Sequence, residues 1–390
     1  AFAKRNQPKA AVESIEKALG IWQDEPEWHT FAATMYQDIG EYPQAAAHLE
    51  HALRISPKAA QYWQLLGDVK LLEKDYHAAK DYFGKASDLF PENPEALDSL
   101  AHINQQLGEH QIAIQCWQKA AQLEPEKPDY HVSIAESYLA RNEIDLATQA
   151  INQALKISPD HPKALLLKAK AEISSENPNL ARLTIQAAKA VVADPTPFDL
   201  LSIDLDRRSN PHGALSAMQN LADANPENIL VLNQLAAYQI ESNELEKAEK
   251  NLQNSLSIDE DNPQTLISIG KIDRLQGNLD QAVARLSKAI KLDPSLIEAY
   301  LELGQTYQDR REVNNAIETY HKAIDMVGKD PRPYLQASSA YKESRDYRNA
   351  EYMLRQAAQL SPSDQGIRRQ LAAIVALNLV NNLQEAPKRK

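Results

Sequence analysis

The sequence is poor in several things, and each shortage excludes something. Among its 390 residues there is one cysteine, Cys116, so no disulfide can form within the chain. That leaves the redox compartment open. Aromatic residues make up only 6% of the chain, against 43% apolar residues in all, which suits a stack of Ala- and Leu-rich helices better than an aromatic-packed β fold. There is no run of about 18 apolar residues, the length a membrane-spanning helix needs. Basic residues are in deficit, 42 against 54 acidic, a net charge of −12. That balance argues against a general nucleic-acid surface or an anionic membrane surface. Catalytic signatures are absent too: there is no phosphate loop, no Gly-x-Ser-x-Gly, no His-Glu-x-x-His and no Cys-x-x-Cys. Neither an enzyme active site nor a cofactor or metal site is therefore expected.

What the sequence does contain is a period. Stepping by 34 residues meets Ala11, Ala45, Ala79, Ala113, Ala147 and Ala181, then after one step of 33, Ala214, Ala248, Ala282, Ala316 and Ala350. Seven residues after each marker the residue is again small in most copies, as at Ala52, Ala86, Ala120 and Ala289, and a proline follows at Pro57, Pro91, Pro125, Pro159, Pro226, Pro294 and Pro362. The copy from Pro263 to Pro294 shows the unit. Leu266, Ile269, Gly270 and Asp273 fall at i, i+3, i+4 and i+7 and mark one face of a first helix. Gly277 and Asn278 tolerate the left-handed geometry that ends it. Ala282, Leu286 and Ala289 mark a second helix, and Asp293-Pro294 closes it. Gly270 and Ala282 stand where the two helices approach. Such a hairpin cannot bury both its apolar faces alone and needs a neighbour on each side.

This pattern resembles the tetratricopeptide repeat (TPR) family over roughly residues 1 to 383. The resemblance implies an all-α, right-handed solenoid. About ten full hairpins would follow an opening half repeat and precede a C-terminal helix near 365–383, in one continuous domain 1–383. The chain opens inside a repeat, at a second helix carrying Ala11, Ile15 and Ala18, so it reads as a fragment of something longer. The middle is irregular. The turns Glu176-Asn177-Pro178 and Asn210-Pro211 read as Asn N-caps before a proline, and the lost residue near 190–215 predicts a change of pitch there. Leu371 to Val380 is apolar nearly all round, so the last helix could cap the stack or support self-association. The tail 384–390 is basic and reads as disordered.

Function is less legible, because the family is defined by a scaffold and not by a chemistry. The resemblance implies a protein or peptide partner held along the face lined by the first helices. The fifth and twelfth positions of each unit would line it. They offer an apolar patch at Val132, Leu139, Leu166 and Ile173 and a second row at Ile267, Leu301 and Leu335. The same positions are also apolar where adjacent first helices merely pack together. The Lys/Asn set with which some TPR domains clamp a terminal carboxylate is missing, since Thr30, Thr34, Gln64, Asp68 and Ser99 occupy its slots. Nor is there an asparagine ladder. His48 and His51 flank Glu50 with no third metal ligand in view and read as solvated helix residues; Asp204-x-Asp206 is too incomplete for a calcium loop, and Cys116 reads as a packed, inert thiol. The expectation is a non-catalytic binding scaffold. Two alternatives are a recognition or regulatory arm of a larger enzyme, such as a glycosyltransferase or acetyltransferase, and a scaffold of envelope assembly or polysaccharide export. The compartment is undetermined, with the cytoplasm or the periplasm both open.

Overall fold

The computed structural model describes residues 8–22, 24–207, 209–327 and 330–385. Among them are 22 helices and no strand. They form two compact units, Ala1–Ser202 and Ile203–Lys390, so that the division falls within one helix of the irregular stretch.

The first unit opens with α1 (Pro8–Leu19) and continues in hairpins: α2 (Pro26–Asp38) with α3 (Tyr42–Ile55), α4 (Ala60–Leu72) with α5 (Tyr76–Leu89), α6 (Pro94–Gln106) with α7 (His110–Leu123), α8 (Asp129–Ala140) with α9 (Ile144–Ile157), and α10 (Pro162–Ser174) with α11 (Pro178–Lys189). Helix α12 (Thr196–Arg207) carries the boundary. The second unit then holds α13 (Pro211–Ala224), α14 (Ile229–Glu241), α15 (Leu245–Ile258), α16 (Pro263–Leu275), α17 (Leu279–Leu292), α18 (Ile297–Asp309), α19 (Val313–Val327), α20 (Pro331–Glu343), α21 (Tyr347–Leu360) and α22 (Gln365–Glu385). The segment expected as a basic tail, 384–390, lies outside the described residues from 386 onward.

Local chemistry starts and stops these helices. Several first helices begin with proline in the first turn behind a capping side chain: Asn93 Oδ1 accepts from Glu95 N at 3.0 Å, and Asn262 Oδ1 from Thr265 N at 3.1 Å. The expected cap at Asn210 forms, on Gly213 N. The one expected at Asn177 does not: Pro178 sits in the first turn, but the Asn177 amide donates to Ser175 O instead. Between first and second helix the chain turns through one left-handed residue at the same register in nine of the hairpins. Glycine occupies it at Gly40, Gly108 and Gly277, but Lys74, Asn142, Glu176, Asn243, Arg311 and Arg345 adopt it as well, with φ between 58 and 64°. The next amide reaches back five residues, as Asn278 N does to Asp273 O at 2.8 Å, the bond of a Schellman cap.

The marker alanines are the tightest points of the core. Ala45, Ala79, Ala113, Ala147, Ala181, Ala248, Ala282, Ala316 and Ala350 have no exposed surface. Where the eighth position is glycine, a large side chain of the second helix fills the space. Phe83 lies against Gly67, Leu286 against Gly270 and Tyr320 against Gly304, each so close that a Cβ would stand within 3.0 Å of it. Cys116 is buried beside Trp117, and burial pushes its thiol pKa up, as befits an unreactive core thiol. At the end of the second unit, Ile367 and Ile374 of α22 pack on Ala350, Leu354 and Ala357, while Leu379 and Val380 point outward.

A face of first helices as candidate binding site

Successive first helices pack side by side over part of each unit. Helix α8 contacts α10, and α14, α16, α18 and α20 form a continuous row. This shared face is where the fifth and twelfth positions fall. The structure places the seven expected residues unequally. Val132 and Ile267 are core residues, 2% and 6% exposed, joined to the clusters around Trp117 and around Leu286. Their side chains are spent on packing, which is the other role open to these positions. Leu139, Leu166, Ile173, Leu301 and Leu335 are half-buried, each with surface left to offer. Leu139, Leu166 and Ile173 belong to the adjacent helices α8 and α10, and Leu301 and Leu335 to α18 and α20.

Around these apolar positions runs a ladder of polar contacts from one repeat to the next. In the first unit, Gln105 donates to Ser137 Oγ at 3.2 Å and Lys163 pairs with Glu136 at 3.0 Å. In the second, Arg207 pairs with Glu241 at 3.1 Å, and Arg274 holds both Glu302 at 3.2 Å and Asp309 at 3.0 Å. Arg332 meets Glu298 at 3.0 Å. Gln308 is held from two sides, since its Oε1 accepts from the Tyr320 hydroxyl at 2.8 Å and its Nε2 donates to Glu343 at 3.1 Å. Burial drives the Tyr320 hydroxyl well above the ordinary tyrosine range, so it stays a donor. The exposed pairs contribute little each. The Arg274 cluster, with Arg274 and Glu302 only 17% and 20% exposed, is better shielded and sets the spacing of α16 and α18.

Some candidates turn out to be internal fasteners. Asp98, a fifth-position residue, accepts the indole N–H of the buried Trp117 at 2.6 Å. His48 and His51 are not solvated helix residues. They meet His29 across the hairpin: His29 and His48 bring their Nδ1 atoms to 3.1 Å, and the His51 ring stacks on His29 at 4.0 Å. Glu16 of α1 receives both His48 Nε2, at 3.1 Å, and the Tyr36 hydroxyl, at 3.0 Å. Burial lowers the pKa of His48 and His51, with Glu16 partly opposing it at His48. Among the described residues no group of three His, Cys, Asp or Glu side chains is placed to hold a metal ion. The face also carries apolar residues that the fifth and twelfth positions do not cover. Leu72 and Leu275, both at the thirteenth position, are 49% and 48% exposed. Their place one residue beyond the twelfth position was the available signal. Among the described residues no helix is long and apolar enough to cross a membrane.

A row of helical hairpins with a shared first-helix face defines a helical-repeat protein, and comparison with known proteins says which kind. Models of the tetratricopeptide repeat match residues 60–93, 99–162, 270–310, 297–326 and 331–364. The chain belongs to the tetratricopeptide repeat family. A stretch of 83 residues, 21% of the chain, is 37% identical to Superkiller complex protein 3 of Homo sapiens, and 86 residues are 29% identical to Superkiller protein 3 of Schizosaccharomyces pombe. The matched stretches span about 5% and 6% of those proteins' own lengths. The crystal structure of yeast Tom70 superposes with a TM-score of 0.59, covering 99% of this chain and 95% of that one at 12% identity, a likeness of fold.

Proposed function

We propose that this protein is a non-catalytic scaffold that holds a protein or peptide partner along its first-helix face. The observation that carries the proposal is the set Leu139, Leu166 and Ile173. These half-buried apolar side chains sit on two helices in direct contact, bordered by the Lys163–Glu136 pair. An apolar centre with a polar rim is the composition of a surface that a partner dries on binding. The net charge of −12 favours a protein over a nucleic acid. Self-association is a second reading, favoured by one feature: the outer row of α22, where Leu379 and Val380 are 61% and 51% exposed. A sedimentation series over rising concentration, with and without Leu379→Lys, tests it.

The test of the main proposal is affinity capture from the native lysate with wild type and a Leu139→Glu/Leu166→Glu/Ile173→Glu variant. Val132 is left intact, because a carboxylate at a site 2% exposed would unfold the repeat. The scaffold reading predicts a partner held by wild type and lost by the variant, whose helical circular dichroism is unchanged. A partner that both proteins retain equally would remove this face from the account.

A further inference from the structure

A sizeable crevice lies elsewhere. It opens between the second helices α7 and α9, over α8, and encloses about 830 Å³. That is within the range of about 300–1,000 Å³ usual for ligand sites. His131, Ile134 and Tyr138 form its floor, an i, i+3, i+7 row of α8 distinct from the row that carries Val132, Glu136 and Leu139. Its walls are unusual. Gln118 and Gln122 project from α7, and Gln149 and Gln153 from α9. All four glutamines have solvent-accessible surface, and among the described residues none of their amides has a hydrogen-bond partner. Ala121 and Ala150 keep the crevice open between them.

The same positions in the neighbouring crevices hold different chemistry. At the equivalent repeat positions the sequence has Gly84 and Asp88 on α5 with Gln115 and Lys119 on α7, and Asn152 and Lys156 on α9 with Leu183 and Ala187 on α11. Facing pairs of glutamines occur only at α7 and α9 among these three. A primary amide offers both a donor and an acceptor, which is what a backbone peptide group requires. Two residues four apart on a helix are separated by about 6 Å along its axis. An extended chain presents an N–H and C=O pair to the same side every two residues, about 6.8 Å. Each wall is therefore close to register with one edge of an extended peptide, and the floor would take small or apolar side chains. The remaining charges on the lining, Glu126 and Lys156, cancel. Burial lowers the His131 pKa, which keeps the floor uncharged at neutral pH.

We infer that the α7–α9 crevice is a second binding site, for an extended and uncharged peptide segment of another protein, read mainly through its backbone. It rests on the scaffold reading and adds a site on a different face of α8. The test uses a phage-displayed library of random 12-residue peptides, panned against the full chain. Enriched sequences are remade as synthetic peptides and titrated by fluorescence anisotropy. Three proteins are compared: wild type, Gln118→Glu/Gln149→Glu, and Leu166→Glu/Ile173→Glu. The two glutamines are exposed, so their substitution leaves the fold intact. The inference predicts a loss of at least about tenfold in affinity for Gln118→Glu/Gln149→Glu and none for Leu166→Glu/Ile173→Glu. N-methylation of alternate backbone amides in the peptide should cost a similar factor. Failure to enrich any peptide, or peptides indifferent to the glutamine changes, would overturn it. Peptides lost only by Leu166→Glu/Ile173→Glu would overturn it too, while leaving the first-helix face standing. A concentration-dependent dimer of the unliganded chain, abolished by Gln118→Glu/Gln149→Glu, would assign the crevice to a second copy instead.

Discussion

Two glycine-to-alanine substitutions should change stability in opposite directions, and the difference tests how the hairpins are built. Gly304 sits in α18 where a Cβ would stand 2.3 Å from Cε1 and 2.5 Å from Cζ of Tyr320. The ring has no exposed surface to move into, and its hydroxyl is held by Gln308 at 2.8 Å. Overpacking a filled core costs about 1–3 kcal/mol, and displacing the ring adds roughly 0.5–1.5 kcal/mol for the strained or lost hydrogen bond. Alanine returns up to about 1 kcal/mol of helix propensity. The net expectation is a loss of about 1–3 kcal/mol. Gly84 lies in the interior of α5, where an added Cβ would meet nothing within 4 Å, so Gly84→Ala should gain about 0.5–1 kcal/mol. Because repeat arrays open locally, the assay is hydrogen exchange resolved to each hairpin. Protection should fall in α18–α19 for the first variant and rise in α4–α5 for the second. Unchanged or increased protection in Gly304→Ala would refute the close-approach reasoning.

Three further outcomes follow from the same geometry. Arg311 holds φ at 62° in a turn where Gly40, Gly108 and Gly277 do the same without a side chain, so Arg311→Gly should stabilise the α18–α19 hairpin by about 1 kcal/mol, read by hydrogen exchange. Burial pushes the Asp68 carboxyl up to about 6, above its unfolded value of 3.8, so folding favours its protonated form and stability is lost as pH rises through about 6. Asp68→Asn should therefore raise the unfolding free energy at pH 7.5, read from urea titration, by roughly 1–2 kcal/mol after allowance for partial exposure, and leave it unchanged near pH 3.8. His48 and His51 show the opposite sign. Their pKa values are depressed below 6.5, so the stability they lend is present above 6.5 and is lost as pH falls. Facing them are His29, Glu16, Tyr36, Arg54 and Asp24, of which Glu16 and Asp24 oppose the shift. Fluorescence of Trp22 and Trp28, which stack at 6.0 Å, should report loosening of α1–α3 between pH 7 and 5 and no such change in His48→Gln/His51→Gln.

The repeat was legible because the closest helix contacts admit only small residues. Ala45 and its successors have no room to vary, so the period survives even where the rest of a unit drifts. The turns were only partly legible. Gly277 signals a left-handed residue, but Glu176 and Arg311 adopt the same conformation because the Schellman bonds impose it, and nothing in their residue type reveals that. The histidine cluster escaped notice because His29 and His48 meet across a hairpin, 19 residues apart, the same separation that joins Asp98 to Trp117. The ladder of ion pairs had a signal that pattern reading could have used. Arg207 and Glu241, and Glu298 and Arg332, are opposite charges one repeat length apart. Within the candidate face, position alone could not separate Val132 and Ile267 from Leu139 and Leu166. A fifth-position side chain either drops into the core or stays at the surface, depending on what its neighbours leave unfilled.

The most direct measurement of the central claim is hydrogen exchange on the protein with and without its captured partner. The scaffold account predicts that added protection concentrates in first helices, above all α8 and α10 around Leu139, Leu166 and Ile173, with the bordering Lys163–Glu136 pair inside the footprint. Protection confined to second helices outside the α7–α9 crevice, or to α22 alone, would contradict it.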